Sequence, residues 1–261
     1  MSEQVAPTGL TRELVIGADR LILTLARHWL LVANLFLGLY IGLAVLAPAL
    51  MAAGFTGLGQ TIYRFFSFQC HQLPQRSYYL FGQASRLQTY SLDQVIAWGA
   101  DPSNPLTLRT FIGNPDIGFK IAIAHRLTAI HAAMFAGGLL WVLIGRRLPR
   151  LGILGLVLLT LPMALDGGSH VLNEVTRLGF RESNAWAVWL TGGLLQPTFY
   201  AGTTIGTLNW LLRTLTGALF GLAAVWFTFP YLAEGFGAMR KQLEPKLRGA
   251  GTIGERSGNQ R

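Results

Sequence analysis

Cysteine is nearly missing from this chain: Cys70 is the only one in 261 residues. That excludes an intrachain disulfide framework and leaves the redox compartment unread. Charge is scarce as well. Charged residues make up 13% of the sequence, against about 25% in a soluble domain, and 12 acidic residues face 21 lysines and arginines. No cleavable signal peptide is evident, because the first strongly apolar run starts near Leu30, behind Arg12, Arg20 and Arg27, and is too long for a signal core. The formal charge of +9 raises nucleic acid as a partner. The positive residues sit beside apolar stretches instead of on a soluble amphipathic face, which counts against it.

Apolar sequence is abundant. Hydrophobic residues form 51% of the chain, and several runs approach the roughly 20 residues that cross a bilayer. The expected fold is all-α: a polytopic membrane protein with about four transmembrane helices, plus interfacial helices in two extracytoplasmic connections. Residues 1–28 read as a polar cytoplasmic lead, 29–232 as the four-span domain and 233–261 as a basic cytoplasmic tail. The spans are placed at about 29–53, 117–144, 151–170 and 208–232. Lysines and arginines border the lead, the turn holding Arg146, Arg147 and Arg150, and the tail with Arg240, Lys241, Lys246 and Arg248. By the positive-inside rule both termini are cytoplasmic, in the cell membrane.

Local signals refine this layout. Aromatic residues around 60–73 predict an interfacial or re-entrant helix ending near Pro74. Ser91 and Gln94 have capping-box spacing for a short helix that stops by Gly99. Asn114-Pro115 reads as an N-cap followed by a first-turn proline opening the second span, and a further interfacial helix is expected around 186–195. Gly38 and Gly42, and again Gly217 and Gly221, have the spacing that lets two helices approach closely. Close packing at the second pair would carry Arg213, one turn earlier, into the bundle.

The same topology gathers polar residues on the outer side. Cys70, His71, Arg76 and Ser77 lie in the first outer connection, and Lys120, His125 and Arg126 in the outer half of the second span. Asp166 and His170 end the third span, and Asn209 and Arg213 begin the fourth. Ionisable residues inside a span cost about 3 kcal/mol each on insertion scales and face partners or a wet cavity. The expected pocket is lined by Cys70, His71, Arg76, Ser77, Lys120, His125, Arg126, Asp166 and Arg213. Asp166, His170 and Glu174, spaced i, i+4, i+8, share a face if the helix continues through Gly167-Gly168. With Cys70 they form a candidate site for a divalent metal ion such as zinc. Asp166 paired with Arg126 or Arg213 as an internal salt bridge is the structural alternative. Haem between His125 or His131 and His170 is a further reading, as is Cys70 acting as a nucleophile with His125 or His170 as its base.

Three segments together resemble a known family. Cys-His-Gln-x-Pro-x-Arg-Ser at 70–77, Asp-Gly-Gly at 166–168 and Arg-x-x-Thr-Gly-x-x-x-Gly at 213–221 are similar to the domain of unknown function 2085 family of small membrane proteins. The resemblance covers residues 60–232 and implies an integral membrane protein without an established activity. Many family members carry one or two cysteines in the segment matching 124–127, where this chain keeps Arg126 and has His125 beside it. A cysteine-rich metal centre would have lost ligands here unless His125 and His170 replace them. Three functional readings follow: a membrane protein whose outer pocket binds a metal ion or small ligand, a non-catalytic accessory or assembly subunit of a larger membrane complex, and a small transporter. The lipid bilayer is the surrounding, with a membrane-complex partner or a second copy as the protein contact.

Overall fold

The structure, a computed structural model, describes residues 9–84 and 87–249. Its first helix, α1 (Leu10–Ala52), has no proline before Pro48 and is built from aliphatic residues that propagate a helix well. The chain turns at Gly54 (φ 85°) and α2 (Thr56–Phe66) folds back against α1. A one-turn 3-10 helix follows at Pro74–Arg76, then strand β1 (Tyr79–Leu80). Helix α3 (Leu92–Ala97) carries the expected capping box, with Ser91 and Gln94 bonding each other's backbone, and α4 (Pro105–Leu108) is capped by Asn104. Strands β2 (Gly113–Asn114) and β3 (Gly118–Lys120) pair antiparallel, and β1 pairs with the other edge of β3. Then come α5 (His125–Ile144) and α6 (Ile153–Thr176). Three short helices follow, α7 (Phe180–Ser183), α8 (Ala185–Thr191) and α9 (Pro197–Tyr200), before α10 (Leu208–Gly249).

Helices α1, α5, α6 and α10 are long and apolar enough to cross a membrane. The protein is therefore an all-α multi-pass membrane protein, with a three-stranded sheet too small to alter the class. Several boundaries differ from those read in the sequence. Residues 10–28 continue the first span as helix, with a local distortion at His28 (φ −115°, ψ 16°), and the fourth span runs on to Gly249. The expected lead and tail are thus helical over 10–28 and 233–249, while 1–8 and 250–261 lie outside the described residues. The second span starts at His125, eight residues later than expected. Asn114 does not cap a helix: its side chain accepts from the backbone of Asp116 and Ile117 at 3.0 and 3.1 Å, closing the tight turn between β2 and β3. Gly113 permits that turn, because a Cβ there would lie 2.1 Å from the Gly118 carbonyl oxygen. The predicted helix around 186–195 is shorter, as α8, and ends at Gly192 in the left-handed region.

Helices α5 and α10 form the tightest pair. Gly217 and Gly221 of α10 lie against the backbone of α5, where added Cβ atoms would stand 2.9 Å from the Arg126 carbonyl and 2.3 Å from that of Ile130. Near this end of the bundle, Ala44 and Ala47 of α1, Tyr63 and Phe66 of α2, Tyr78 and Ile121–Ile123 bury each other in one core. That core fixes residues 121–124 beside Cys70, with Ala124 extended ahead of the helix, so α5 opens with His125 at the level of the 70–77 segment.

A cavity lined by arginine and histidine

The 70–77 segment is held as a rigid loop by its own polar atoms. Gln72 takes a positive φ of 51°, and its amide donates to the carbonyls of Tyr63 and Ala122 at 2.9 and 2.8 Å. Lys120, fully buried in β3, donates through Nζ to the carbonyls of Gln72 (2.7 Å) and Arg109 (2.6 Å). The Tyr63 hydroxyl donates to the Lys120 carbonyl. Ser77 is buried and donates to the Leu73 carbonyl at 3.0 Å. Cys70 Sγ accepts from the backbone of Gln72 and of Ala124, at 3.4 and 3.3 Å. Lys120 and Ser77 therefore clamp the loop and do not line the pocket predicted for them. Lys120 was expected inside a span, and its strand position turns it to a different cavity beside Arg64 and Arg109.

Of the expected pocket residues, six do meet. Cys70, His71, Arg76, His125, Arg126 and Arg213 line a cavity of about 210 Å³, together with His170, and none of its lining residues is a carboxylate. Asp166 stands just behind the wall. It receives Arg126 on one oxygen and Arg181 on the other, each at 2.5 Å. Arg181 also reaches His170 Nε2 at 3.0 Å, and Arg213 lies 3.5 Å from His170 Nδ1. Arg76 pairs with Glu174. Three guanidinium groups thus pair with two carboxylates, and Arg213 forms an ion pair with neither. Arg213 is 4% exposed and its Nη1 has no hydrogen-bond partner. The Nε atoms of Arg76 and Arg126 are also buried without one, and both ring nitrogens of His125 lack a well-formed hydrogen bond.

His71 adds a donor. Its Nδ1 accepts from the Leu73 backbone at 3.0 Å, so the proton of the neutral ring resides on Nε2. Burial against the protein, followed by the nearby guanidinium groups of Arg76, Arg213 and Arg126, holds His71 well below the ordinary imidazole value, although one edge of the residue remains open to solvent.

The expected metal set does not assemble. Among the described residues no group of three or more His, Cys, Asp and Glu comes together to hold an ion. Helix α6 does continue through Gly167-Gly168, which aligns Asp166, His170 and Glu174. Arginines nevertheless occupy both carboxylates, and Cys70 is committed to backbone amides. Of the two histidines read as haem candidates opposite His170, His131 stacks on Tyr40 at 4.1 Å and His125 packs on Tyr78 at 4.3 Å.

Arg181 is the residue beside this cavity that sequence reading missed. It returns to Asp166 because Gly179 (φ 67°) reverses the chain after α6 and Asn173 Oδ1 accepts its backbone N–H at 3.0 Å. Asn184 and Asn209 then fix its carbonyl at 3.1 and 2.7 Å. The only local signal was the pair of asparagines at helix ends; nothing in the sequence connects them to Asp166. In comparison with known proteins, the chain matches no family model, no curated protein and no solved structure.

Proposed function

We propose that this membrane protein binds a small anion, of the phosphate or carboxylate class, in the cavity between Arg76, Arg126 and Arg213. The carrying observation is Arg213 Nη1, a buried guanidinium nitrogen without a hydrogen-bond partner, on a residue that lines a cavity whose wall holds no carboxylate. An uncompensated buried charge is strongly unfavourable, and guanidinium groups are the side chains best matched to oxyanions, which they bind through parallel hydrogen bonds. The His71 Nε2 proton supplies a neutral donor at the same wall. Two of the three segments on which the resemblance to the domain of unknown function 2085 family rests, 70–77 and 213–221, line the cavity, and Asp166 of the third stands behind its wall. Positive residues at the other end of the bundle, Arg147, Arg150, Arg240, Lys241, Lys246 and Arg248, support an extracytoplasmic cavity in the cell membrane with both termini inside.

The test is thermal unfolding of the detergent-purified chain in inorganic phosphate, sulfate and succinate, against chloride at equal ionic strength. At least one oxyanion is expected to raise the midpoint by several degrees, and Arg213→Gln to abolish the rise without lowering the midpoint in chloride. Asp166→Asn strands Arg126 and Arg181 and is expected to cost about 3–5 kcal/mol in any buffer. The proposal fails if no oxyanion exceeds chloride, or if Arg213→Gln is as destabilising as Asp166→Asn and leaves the anion response intact.

A further inference from the structure

A second cavity, of about 560 Å³, lies between α6 and α10, within the range of small-molecule sites. It shares no lining residue with the arginine cavity. The Asp166–Arg181 pair lines its polar end, and that pair is bonded to Arg126 and His170 of the first cavity. Pro162, Leu165, Leu212, Thr216, Phe180 and Trp186 form the other walls. The two hydroxyls there are turned to backbone: Thr216 Oγ1 donates to the Leu212 carbonyl at 2.7 Å and Ser169 Oγ to that of Asp166 at 2.8 Å. Away from the Asp166–Arg181 end they leave carbon surface for a guest. The seam stays open because α6 lacks the glycine contacts that close α5 on α10, and its Leu158, Leu161 and Leu165 are 59%, 44% and 64% exposed.

Two further observations say what enters it. Trp186, Trp189, Leu190 and Leu194, outside the four long helices, are all exposed, as residues at a membrane interface are. Arg181 stands five residues before Trp186, at the same end of the bundle. It is itself 4% exposed, and its Nε has no partner. A guanidinium at headgroup depth, above an apolar slot open to the bilayer, matches one chemistry: an anionic head on an apolar chain. A zwitterionic head would bring its own ammonium toward Arg181, whereas an anionic head would not.

We infer that the α6–α10 groove holds one acyl chain of an anionic phospholipid whose phosphate meets Arg181. This is a site beside the anion cavity and stands on different residues. The test uses the full chain, purified and delipidated in detergent. Thermal unfolding is followed with phosphatidylglycerol, phosphatidylcholine, glycerol 3-phosphate and inorganic phosphate. Phosphatidylglycerol is expected to raise the midpoint on the order of 5 °C, with phosphatidylcholine and glycerol 3-phosphate giving no such rise. Ala185→Trp adds a ring to an exposed groove-lining position and is expected to remove the phosphatidylglycerol response while any response to inorganic phosphate persists. Native mass spectrometry should show one retained phosphatidylglycerol per wild-type chain and none on this variant. Equal stabilisation by phosphatidylcholine overturns the inference. So does a phosphatidylglycerol response that survives Ala185→Trp and vanishes in Arg213→Gln, which would seat the headgroup in the arginine cavity. Loss of every inorganic-anion response, with the lipid response and its Ala185→Trp loss intact, would sink the anion cavity and leave the groove standing.

Discussion

Lys120 and Arg213 are both buried cations, and their chemistry separates them. A lysine can release its proton when burial demands it, whereas a guanidinium does not. Burial lowers Lys120 from its ordinary 10.5 to about 7. Between those values the unfolded chain binds a proton that the folded chain has given up, so stability rises with pH across that window. Below about pH 7 both states are charged, and above about 10.5 both are neutral. Unfolding followed from pH 6 to 11 is expected to show this rise, and Lys120→Met to flatten it while lowering stability at every pH by orphaning the Gln72 and Arg109 carbonyls. An unchanged slope in the variant would assign the effect elsewhere. Arg213 has no such escape, which is why its unpartnered Nη1 points to an anion. Its burial could be read from Gly217 and Gly221, since their spacing promised close packing on the same face. Glu174 was misread because periodicity gives a face and does not say which cation waits opposite; Arg76 does. Arg181 could not be read at all, because its partner is reached only through the Gly179 reversal.

Among the elements, α10 sets the geometry of the cavity. Its glycines let α5 approach until backbone touches backbone, which brings Arg126 and His125 toward Arg213. At Gly221 a single methyl would overlap the Ile130 carbonyl, and backbone cannot move aside as a side chain can. Gly221→Ala is therefore expected to destabilise the protein by about 1–3 kcal/mol, measured by thermal or denaturant unfolding, and to weaken the anion response by parting α5 from α10. Gly217→Ala, with more room, should cost less. Short elements with their own chemistry were readable in the sequence: the Ser91–Gln94 box needs only residues three apart. The start of α5 was not. Asn114-Pro115 is as good a turn as it is a cap, and strand pairing with β1, from a segment nearly 40 residues earlier, decided between them.

At the scale of the molecule, α1 and α10 are too long for the membrane alone. At 43 and 42 residues they reach about 65 Å, roughly twice the hydrocarbon core. Their surplus ends pair with each other through Asp19–Lys246 at 2.7 Å and Arg27–Glu244 at 3.0 Å, over buried Leu23, Ala26 and Leu247. The proposed orientation puts this pair in the cytoplasm and α4 outside. Because Cys70 is buried, the native chain should give little background to a membrane-impermeant maleimide. Leu106→Cys is expected to label on intact cells, and Arg150→Cys only after permeabilisation; the reverse pattern would invert the protein. Taken alone, the sequence determined the class, the four spans and the polar end, because bilayer insertion depends on the apolar content of contiguous residues and on flanking charge. Only the tertiary structure decided that this end is a cationic cavity and not a metal centre. The sequence offered Arg126 or Arg213 as the partner of Asp166; which of them pairs depends on contacts between side chains 40 residues apart for Arg126–Asp166 and 98 apart for Arg76–Glu174, and no local pattern chooses between them.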